Sequence, residues 1–537
     1  MLERSFGGRE CIGRGYRGGH CIEWQAQTSA FFSRPEDAYQ FEHPALPFCS
    51  TSCNTNSLVA IGDEAGGVRL LDSKGPTFTS THLSLQPHSN AVIDMAFSSN
   101  DLLLASASGD QTARIIDMRT QMTNYILQGH ITSVKQVRFQ PGNDNVIATS
   151  SRDGDVNLWD LRCSPSSSVV RELKIPLDPT AAVDMRVSHK VSYAAVHTTI
   201  SAAHADARAL AEVPGNAKAG EVSVDSSQTE KARRSGDVSV TALAFLSTPG
   251  REHLLLTGSE ASTTVRLWDI RARYSRRGPA TPLSTTMQPE SHSKHRHFGI
   301  STLVLGANNS RLYALSRDNT VYAYSTNHLI LGHAPELSSS TRKPKYSSEN
   351  RTGLGPIYGF RDPKFHATSF YVKAALRSAK HDKPELLAVG SSDHCAVVFP
   401  TDESLFANSA SRAESLSDSF LEKGRDASLP SSSPFFEGRR PALRRSASGM
   451  SLRMTDMIPI FEVGRVLVGG HQKEVTSLTW SYDGDLVSVG DDYLVRRWRE
   501  DDVEARRLRV EGEGQGRRWG CGWAEVADDS WDDWNDE

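Results

Sequence analysis

The strongest constraint on this chain is a phrase that it repeats. Residues 149–162 read TSSRDGDVNLWDLR, a hairpin signal with Asp153-Gly154 at the tight turn and Trp159-Asp160 closing the outgoing strand. Asp-Gly between alternating apolar residues supplies the positive φ that a tight hairpin turn needs. Asp110 stands six residues before Ile116, Asp153 before Trp159, Asp318 before Tyr324, Asp393 before Phe399 and Asp492 before Trp498. GDEAGGVRLLD, ending at Leu71-Asp72, and GSEASTTVRLWD, ending at Trp268-Asp269, keep the hairpin without the aspartate at that offset, which makes seven copies.

A second mark lies upstream. His88 precedes Ile116 by 28 residues, His130 precedes Trp159 by 29, and His471 precedes Trp498 by 27. After each histidine comes a short β-rich run: AVIDMAF, SVKQVRF and EVTSLTW. The unit is therefore His, strand, strand, Asp turn, strand ending in Trp-Asp, then a variable fourth strand. This is the WD-repeat signature, and seven copies predict an all-β, seven-bladed WD-repeat β-propeller with long disordered loop insertions and disordered termini.

The residue types follow from local chemistry. A turn aspartate accepts nearby backbone N–H groups, a histidine and a strand hydroxyl join it, and a buried indole N–H needs a partner. In the third copy the set is His130, Thr149, Asp153 and Trp159; in the seventh, His471, Ser488, Asp492 and Trp498. The second copy has His88, Ser106 and Asp110, but Ile116 replaces the indole, so a shorter network is expected. Trp268 closes the fourth copy. Hydroxyl, histidine and aspartate resemble a hydrolase triad, yet a catalytic set is needed once and this one recurs as a blade staple. The chain carries no G-x-x-x-x-G-K-[ST], H-E-x-x-H or G-x-S-x-G motif. No enzyme activity and no cofactor are expected.

The seven cysteines (Cys11, Cys21, Cys49, Cys53, Cys163, Cys395 and Cys521) are scattered and odd in number, against a disulfide framework and for a reducing compartment. Cys49 and Cys53 lack a second pair at zinc spacing, so no metal is expected. A net charge of −4 gives no overall bias toward nucleic acid, and no apolar run is long enough to span a membrane. The N-terminus lacks the apolar core of a secretory signal. A nuclear protein, present also in the cytoplasm, is the expectation.

The strand-end positions 71, 116, 159, 268, 324, 399 and 498 are separated by 45, 43, 109, 56, 75 and 99 residues. A WD unit needs about 40–45, so the last four intervals carry insertions. The expected organisation is an N-terminal extension over 1–45, mostly disordered; a propeller over 46–500 with insertions near 164–236, 272–297, 329–366 and 402–464; and an acidic Trp-containing tail over 501–537. Either the residues before 45 or those after Trp498 supply the last outer strand. RRPALRRSAS (439–448) combines a basic cluster with Ser446 and Ser448, a candidate import or phosphorylation segment beside the plainer reading of a solvated loop. The end, AEVADDSWDDWNDE, has seven acidic residues, no basic ones, and Trp531 and Trp534, a candidate docking peptide for a basic groove.

Arginines follow the strand ends. The third and fourth copies read Trp159-Asp160-Leu161-Arg162 and Trp268-Asp269-Ile270-Arg271, and the second reads Ile116-Asp117-Met118-Arg119. An arginine there sits at the rim of one propeller face and is able to grip a partner carboxylate bidentately. The alternative is an arginine spent on its own blade's aspartate. If both Arg162 and Arg271 fold inward against carboxylates of the same subunit, leaving nothing free at the edge, the ligase assignment fails.

The words LPFCSTSCNTNSLVAIGDEAGGVRLLD (46–72), SASGDQTARIID (106–117), SSRDGDVNLWDLRC (150–163), SFYVKAALRS (369–378) and HQKEVTSLTW (471–480) together resemble the denticleless family. Members are WD-repeat substrate receptors of cullin-4 ubiquitin ligases that destroy replication-licensing factors in S phase. The resemblance implies docking on the ligase adaptor, the large subunit of the damaged-DNA-binding protein, through Asp160, Arg162, Asp269 and Arg271, with Arg119 a weaker contact. It also implies degron-bearing substrates, often presented on the sliding clamp, and no sequence-specific nucleic-acid binding. Animal members carry a long tail with a clamp-binding box, whereas 38 residues follow position 499 here. Gln25, Phe31 and Phe32 have the spacing of such a box, with Thr28 where an aliphatic plug belongs.

Two rival readings stand beside the receptor. One is a WD-repeat scaffold of a chromatin or RNA-processing complex, which does not need the rim arginines. The other is a propeller enzyme with a site in the central channel, which needs converging acids, histidines or metal ligands near the axis.

Overall fold

The computed structural model describes residues 19–176, 184–205, 238–274, 280–289, 292, 297–332, 354–380, 383–406, 458–510 and 520–526. Seven first strands, Pro47–Ser52, Val92–Phe97, Val134–Gln140, Val240–Phe245, Ile300–Leu305, Ala374–Arg377 and Val475–Trp480, pack in succession, and the last packs back on the first. Each begins an antiparallel blade running outward from this ring. The ring is a β-propeller. Blades are numbered 1 to 7 in the order of these strands.

Alternating β-branched and aromatic residues put two apolar faces on each sheet, and the faces of adjacent blades share one core. The third-strand aromatic fills the gap to the preceding blade. Trp159 packs with Ala105 and Ile115 of blade 2, Trp268 with Ala148 and Leu158 of blade 3, and Trp498 with Leu386 and Val398 of blade 6. A glycine makes room for the indole. A Cβ on Gly129 would stand 2.8 Å from Val196 and 3.0 Å from Trp159.

The turns explain the repeated aspartate. Gln111, Gly154, Asn319, His394 and Tyr493, each the residue after a turn aspartate, have φ between 63° and 84°. Only one is glycine. At two of the others the preceding carboxylate holds the left-handed turn: Asp110 Oδ1 accepts from Thr112 N at 3.0 Å, and Asp492 Oδ1 from Leu494 N at 3.2 Å.

Of the two sources the sequence offers for the last outer strand, the residues before 45 supply it. Blade 7 is completed by Phe31–Ser33, which pairs antiparallel with its third strand, Leu494–Glu500; Ala38–Gln40 pairs with the same strand. The propeller therefore begins well before residue 46. Phe31 and Phe32 are buried here, so the Gln25/Phe31/Phe32 spacing is closure chemistry and not an available clamp-binding box. Helix Gly19–Ser29 lies outside blade 6, where Trp24 packs with Phe399 and Val466. The expected tail also contributes structure. Helix Asp502–Val510 buries Leu508 against Phe32, and Gly522–Ala524 bridges Phe31–Ser33 to the outer strand of blade 6, Arg465–Val468.

Inside the expected 164–236 insertion, Ser167–Pro176 and Asp184–Tyr193 form a hairpin added to blade 2. Val196–Ile200 then serves as blade 3's outer strand. The 272–297, 329–366 and 402–464 insertions likewise supply Ser284–Thr285 to blade 4, Tyr358–Phe360 to blade 5 and Ile460–Phe461 to the edge of blade 5. Ser446, Ser448, Trp531 and Trp534 lie outside the described residues. No helix among the described residues is long and apolar enough to cross a membrane.

Candidate docking face

The two propeller faces differ in chemistry. On one, the turns between second and third strands gather the histidine networks. His130 lies between Asp153 (Nδ1 to Oδ2, 3.1 Å) and Thr149 (Nε2 to Oγ1, 2.8 Å), and Trp159 Nε1 donates to Thr149 Oγ1 at 2.9 Å. His471 repeats this with Asp492 (3.1 Å), Ser488 (2.7 Å) and Trp498, whose Nε1 donates to Ser488 Oγ at 2.8 Å. One proton order satisfies every atom: histidine Nδ1–H donates to aspartate, the hydroxyl donates to Nε2, and the indole donates to the hydroxyl.

In blade 2, His88 bonds Asp110 and Ser106, each at 2.8 Å, and with Ile116 in the indole position the chain ends at the serine. Burial raises the Asp110 carboxyl, but His88 and the Thr112 N–H and O–H outweigh it and hold it well below the carboxylate range.

Three further histidines join the same scheme. His292 Nε2 meets Asp318 at 2.7 Å, and Tyr322 OH donates to that carboxylate at 2.6 Å. His366 meets Asp393 at 2.9 Å. His204 meets Thr257 at 2.7 Å, and Trp268 Nε1 donates to the same hydroxyl at 2.9 Å. Blade 4 supplies no turn aspartate: among the described residues His204 Nδ1 is buried without a hydrogen-bond partner, and burial pushes this imidazole well below its usual pKa. The insertions displace these histidines from the 27–29-residue spacing seen in the other copies, which hides them in the sequence.

The opposite face carries the strand-end arginines. Met118, Leu161 and Ile270 donate from their N–H groups to the carbonyls of Leu102, Asn145 and His253, at the start of the second strands, so Arg119, Arg162 and Arg271 share that face. Asp160 Oδ1 accepts from Arg162 N (3.0 Å) and Nε (2.9 Å), while Oδ2 accepts from Nη2 at 2.7 Å. Asp269 and Arg271 repeat the arrangement at 3.0, 3.0 and 2.9 Å. The arginine hydrogen bond is the main cause that lowers each carboxyl pKa.

Both guanidinium groups are thus clasped by their own blades, as the self-paired alternative requires. They are not folded away. The Arg162 and Arg271 side chains remain 61% and 65% exposed, and neither Nη1 has a hydrogen-bond partner among the described residues. Arg119 is looser, 3.7 Å from Asp117 and 74% exposed, and it lines a groove of about 420 Å³ between blades 2 and 3 beside the exposed Leu102.

Cys49 and Cys53 pack between blades 1 and 2, where burial raises both thiols.

Comparison with known proteins agrees with the repeat pattern. The family profile described as "WD domain, G-beta repeat" matches residues 79–117, 121–160 and 463–499. The "Cell division cycle protein cdt2" of Schizosaccharomyces pombe is 25% identical over 516 residues, covering 93% of this chain and 77% of that protein. "Denticleless protein homolog B" of Xenopus laevis is 28% identical over 361 residues, 67% of this chain and 42% of that protein. "Denticleless protein homolog" of Homo sapiens is 26% identical over 364 residues, 66% of this chain and 40% of that protein. The chain thus spans less than half the length of these two vertebrate relatives. The solved propeller domain of Myceliophteria thermophila Cps50 (Swd1) aligns with a TM-score of 0.44 at 13% identity, covering 85% of this chain and 97% of that one. Three of its repeats match the WD-domain profile, and along its length the chain is similar to the cdt2 and denticleless proteins.

Proposed function

We propose that this protein is a non-catalytic substrate receptor of a cullin-4 RING ubiquitin ligase, working in the nucleus. It docks on the adaptor, the large subunit of the damaged-DNA-binding protein, and recruits replication-licensing and S-phase regulators for ubiquitination and proteasomal degradation. The observation that carries this reading is the repeated pair Asp160–Arg162 and Asp269–Arg271: two adjacent blades present the same clasped, exposed guanidinium on one face. Clasping fixes the plane of the group, so little side-chain entropy is lost when a partner carboxylate meets its outer edge. Arg119 and its groove extend the surface across a third blade. Ubiquitin transfer belongs to a separate enzyme, and the receptor contributes proximity between substrate lysine and charged ubiquitin.

The self-pairing of both arginines also favours a second reading, a WD-repeat scaffold of a chromatin or RNA-processing complex in which the pairs only brace the rim. The test is purification of the tagged double variant Arg162→Glu/Arg271→Glu from S-phase cells, with partners identified by mass spectrometry. A receptor loses the cullin adaptor, which the unsubstituted protein retains. A scaffold keeps its partners and shows no adaptor in either preparation.

A further inference from the structure

The first strands enclose an axial cavity of about 280 Å³ whose lining includes Asp94, Gln136, Arg138, Thr302, Lys373 and Ser477. On the histidine-network side, the segment that enters blade 6 leans over its mouth. Tyr371 packs against Phe48 of blade 1 at 4.6 Å and against Phe370 at 5.4 Å. Lys373 and, from blade 3 across the ring, Lys135 place their ammonium groups 4.3 and 4.9 Å from the Phe370 ring centroid. Phe370, Tyr371 and Lys373 belong to SFYVKAALRS, a word that the docking face leaves unused.

Beside Lys373 stand one carboxylate, Asp94, and two further cations, Lys135 and Arg138, while Glu474 lies against Ser369 at the rim. Asp94 is held by Arg138 and by Val137 N at 3.1 Å. Lys373 Nζ donates to the Ser301 carbonyl at 3.1 Å, and neither Lys373 nor Lys135 has an ion-pair partner among the described residues. Arg152 adds positive charge beside Lys135, and Glu260 opposes it. Burial pushes Lys373 down to about 8 and lowers Lys135 as well. Thr302 is 5% exposed, and its Oγ1 has no hydrogen-bond partner among the described residues. Desolvated cations and an idle hydroxyl together fit an anionic side chain.

The chain carries a segment of matching chemistry. Residues 527–537, ADDSWDDWNDE, hold six carboxylates, two indoles and no basic group. Just before them, Glu525 is tied to Lys364, Oε2 to Nζ at 2.5 Å. The Lys364 carbonyl accepts from Ser391 Oγ at 2.7 Å, beside the Asp393 turn and on the same side as the mouth. Nine residues separate Lys364 from Lys373, at most about 32 Å of chain, and an extended eleven-residue segment spans about 36 Å. The tail is long enough.

We propose that residues 527–537 dock on this mouth of the axial channel, an aspartate entering between Lys135 and Lys373 while a tryptophan ring stacks on Phe370 or Tyr371. The site is an acidic-peptide site, and the tail competes there with any acidic segment of another protein. This does not depend on the adaptor reading.

The test uses the full chain with Trp531 replaced by photoreactive p-benzoylphenylalanine, irradiated and mapped by mass spectrometry. Intramolecular cross-links to residues 368–373 or to Phe48 are expected. Their yield should fall about tenfold in Lys135→Met/Lys373→Met, a loss of about 1.4 kcal/mol of contact. Because removal of channel lysines could disturb the propeller, a second variant carries Asp528→Asn, Asp529→Asn, Asp532→Asn and Asp533→Asn and leaves every propeller residue intact; the same fall is expected. Cross-links that map elsewhere, that join two molecules only, or that survive the aspartate substitutions at full yield overturn the proposal.

Discussion

Asp37 and Arg497 stand 460 residues apart in the chain and meet as a buried ion pair, Oδ1 accepting from Nε at 3.0 Å, with side-chain exposures of 0% and 2%. Arg499 donates to the same oxygen at 2.9 Å. Both arginines lie in the third strand of blade 7, and Asp37 follows the N-terminal strand that completes that blade. The pair therefore latches the first described strand to the last repeat.

Asp37→Asn keeps the shape and removes the charge, leaving two guanidinium groups uncompensated at the seam. A loss of about 3 kcal/mol or more is expected in urea unfolding, since breaking one side of a buried pair strands the other. A loss below about 1 kcal/mol would place the closure in strand pairing alone.

Blade networks should differ by the presence of the indole. Thr149→Val preserves volume but strands Trp159 Nε1 and leaves His130 Nε2 only the longer bond from Asn157 Nδ2 at 3.3 Å. Ser106→Ala strands only His88 Nε2. Each buried unsatisfied group costs about 1–3 kcal/mol, so Thr149→Val should destabilise more than Ser106→Ala. Thermal midpoints of the two variants beside the unsubstituted protein measure the difference.

His204 makes stability depend on mild acid. Its pKa is depressed in the folded state by burial, so the unfolded chain binds the proton more readily. The stability contribution is complete above the unfolded value near pH 6.5 and is lost as pH falls below it, at about 1.4 kcal/mol per unit until the folded value is reached. His204→Gln removes that proton from both states. Between about pH 7.5 and 5.5 its urea midpoint should fall less than that of the unsubstituted protein, and equal slopes would refute the assignment.

Gln111 is exposed and held at φ 71°, where an L side chain is strained. Gln111→Gly relieves this and should stabilise by up to about 1 kcal/mol. Gly154→Ala, at φ 84°, should destabilise by a similar amount. Chemical unfolding curves of the two variants ought to shift in opposite directions.

The parts of the fold that repeat were legible because they are local. An aspartate and an aromatic six residues apart encode one hairpin and one packed strand end, and the cues for both sit within a few residues. The same locality exposed Arg119, Arg162 and Arg271 as rim residues. It could not tell how exposed each guanidinium stays once it pairs with the aspartate two residues away, because that depends on what borders the edge in the folded ring. His204, His292 and His366 escaped because loop insertions displace them from the regular spacing while the folded loops return them to equivalent places.

Sequence alone determined the propeller class, the turns and the aromatic strand ends, since hydrogen-bonding capacity and apolar alternation act over a handful of neighbours. Tertiary structure alone decided how the ring closes. Phe31-Phe32-Ser33 is too short to announce itself as a strand, and its partner, Leu494–Glu500, lies at the far end of the chain. Its hydrogen bonds and burial exist only after seven blades have curved round far enough to bring the two ends together.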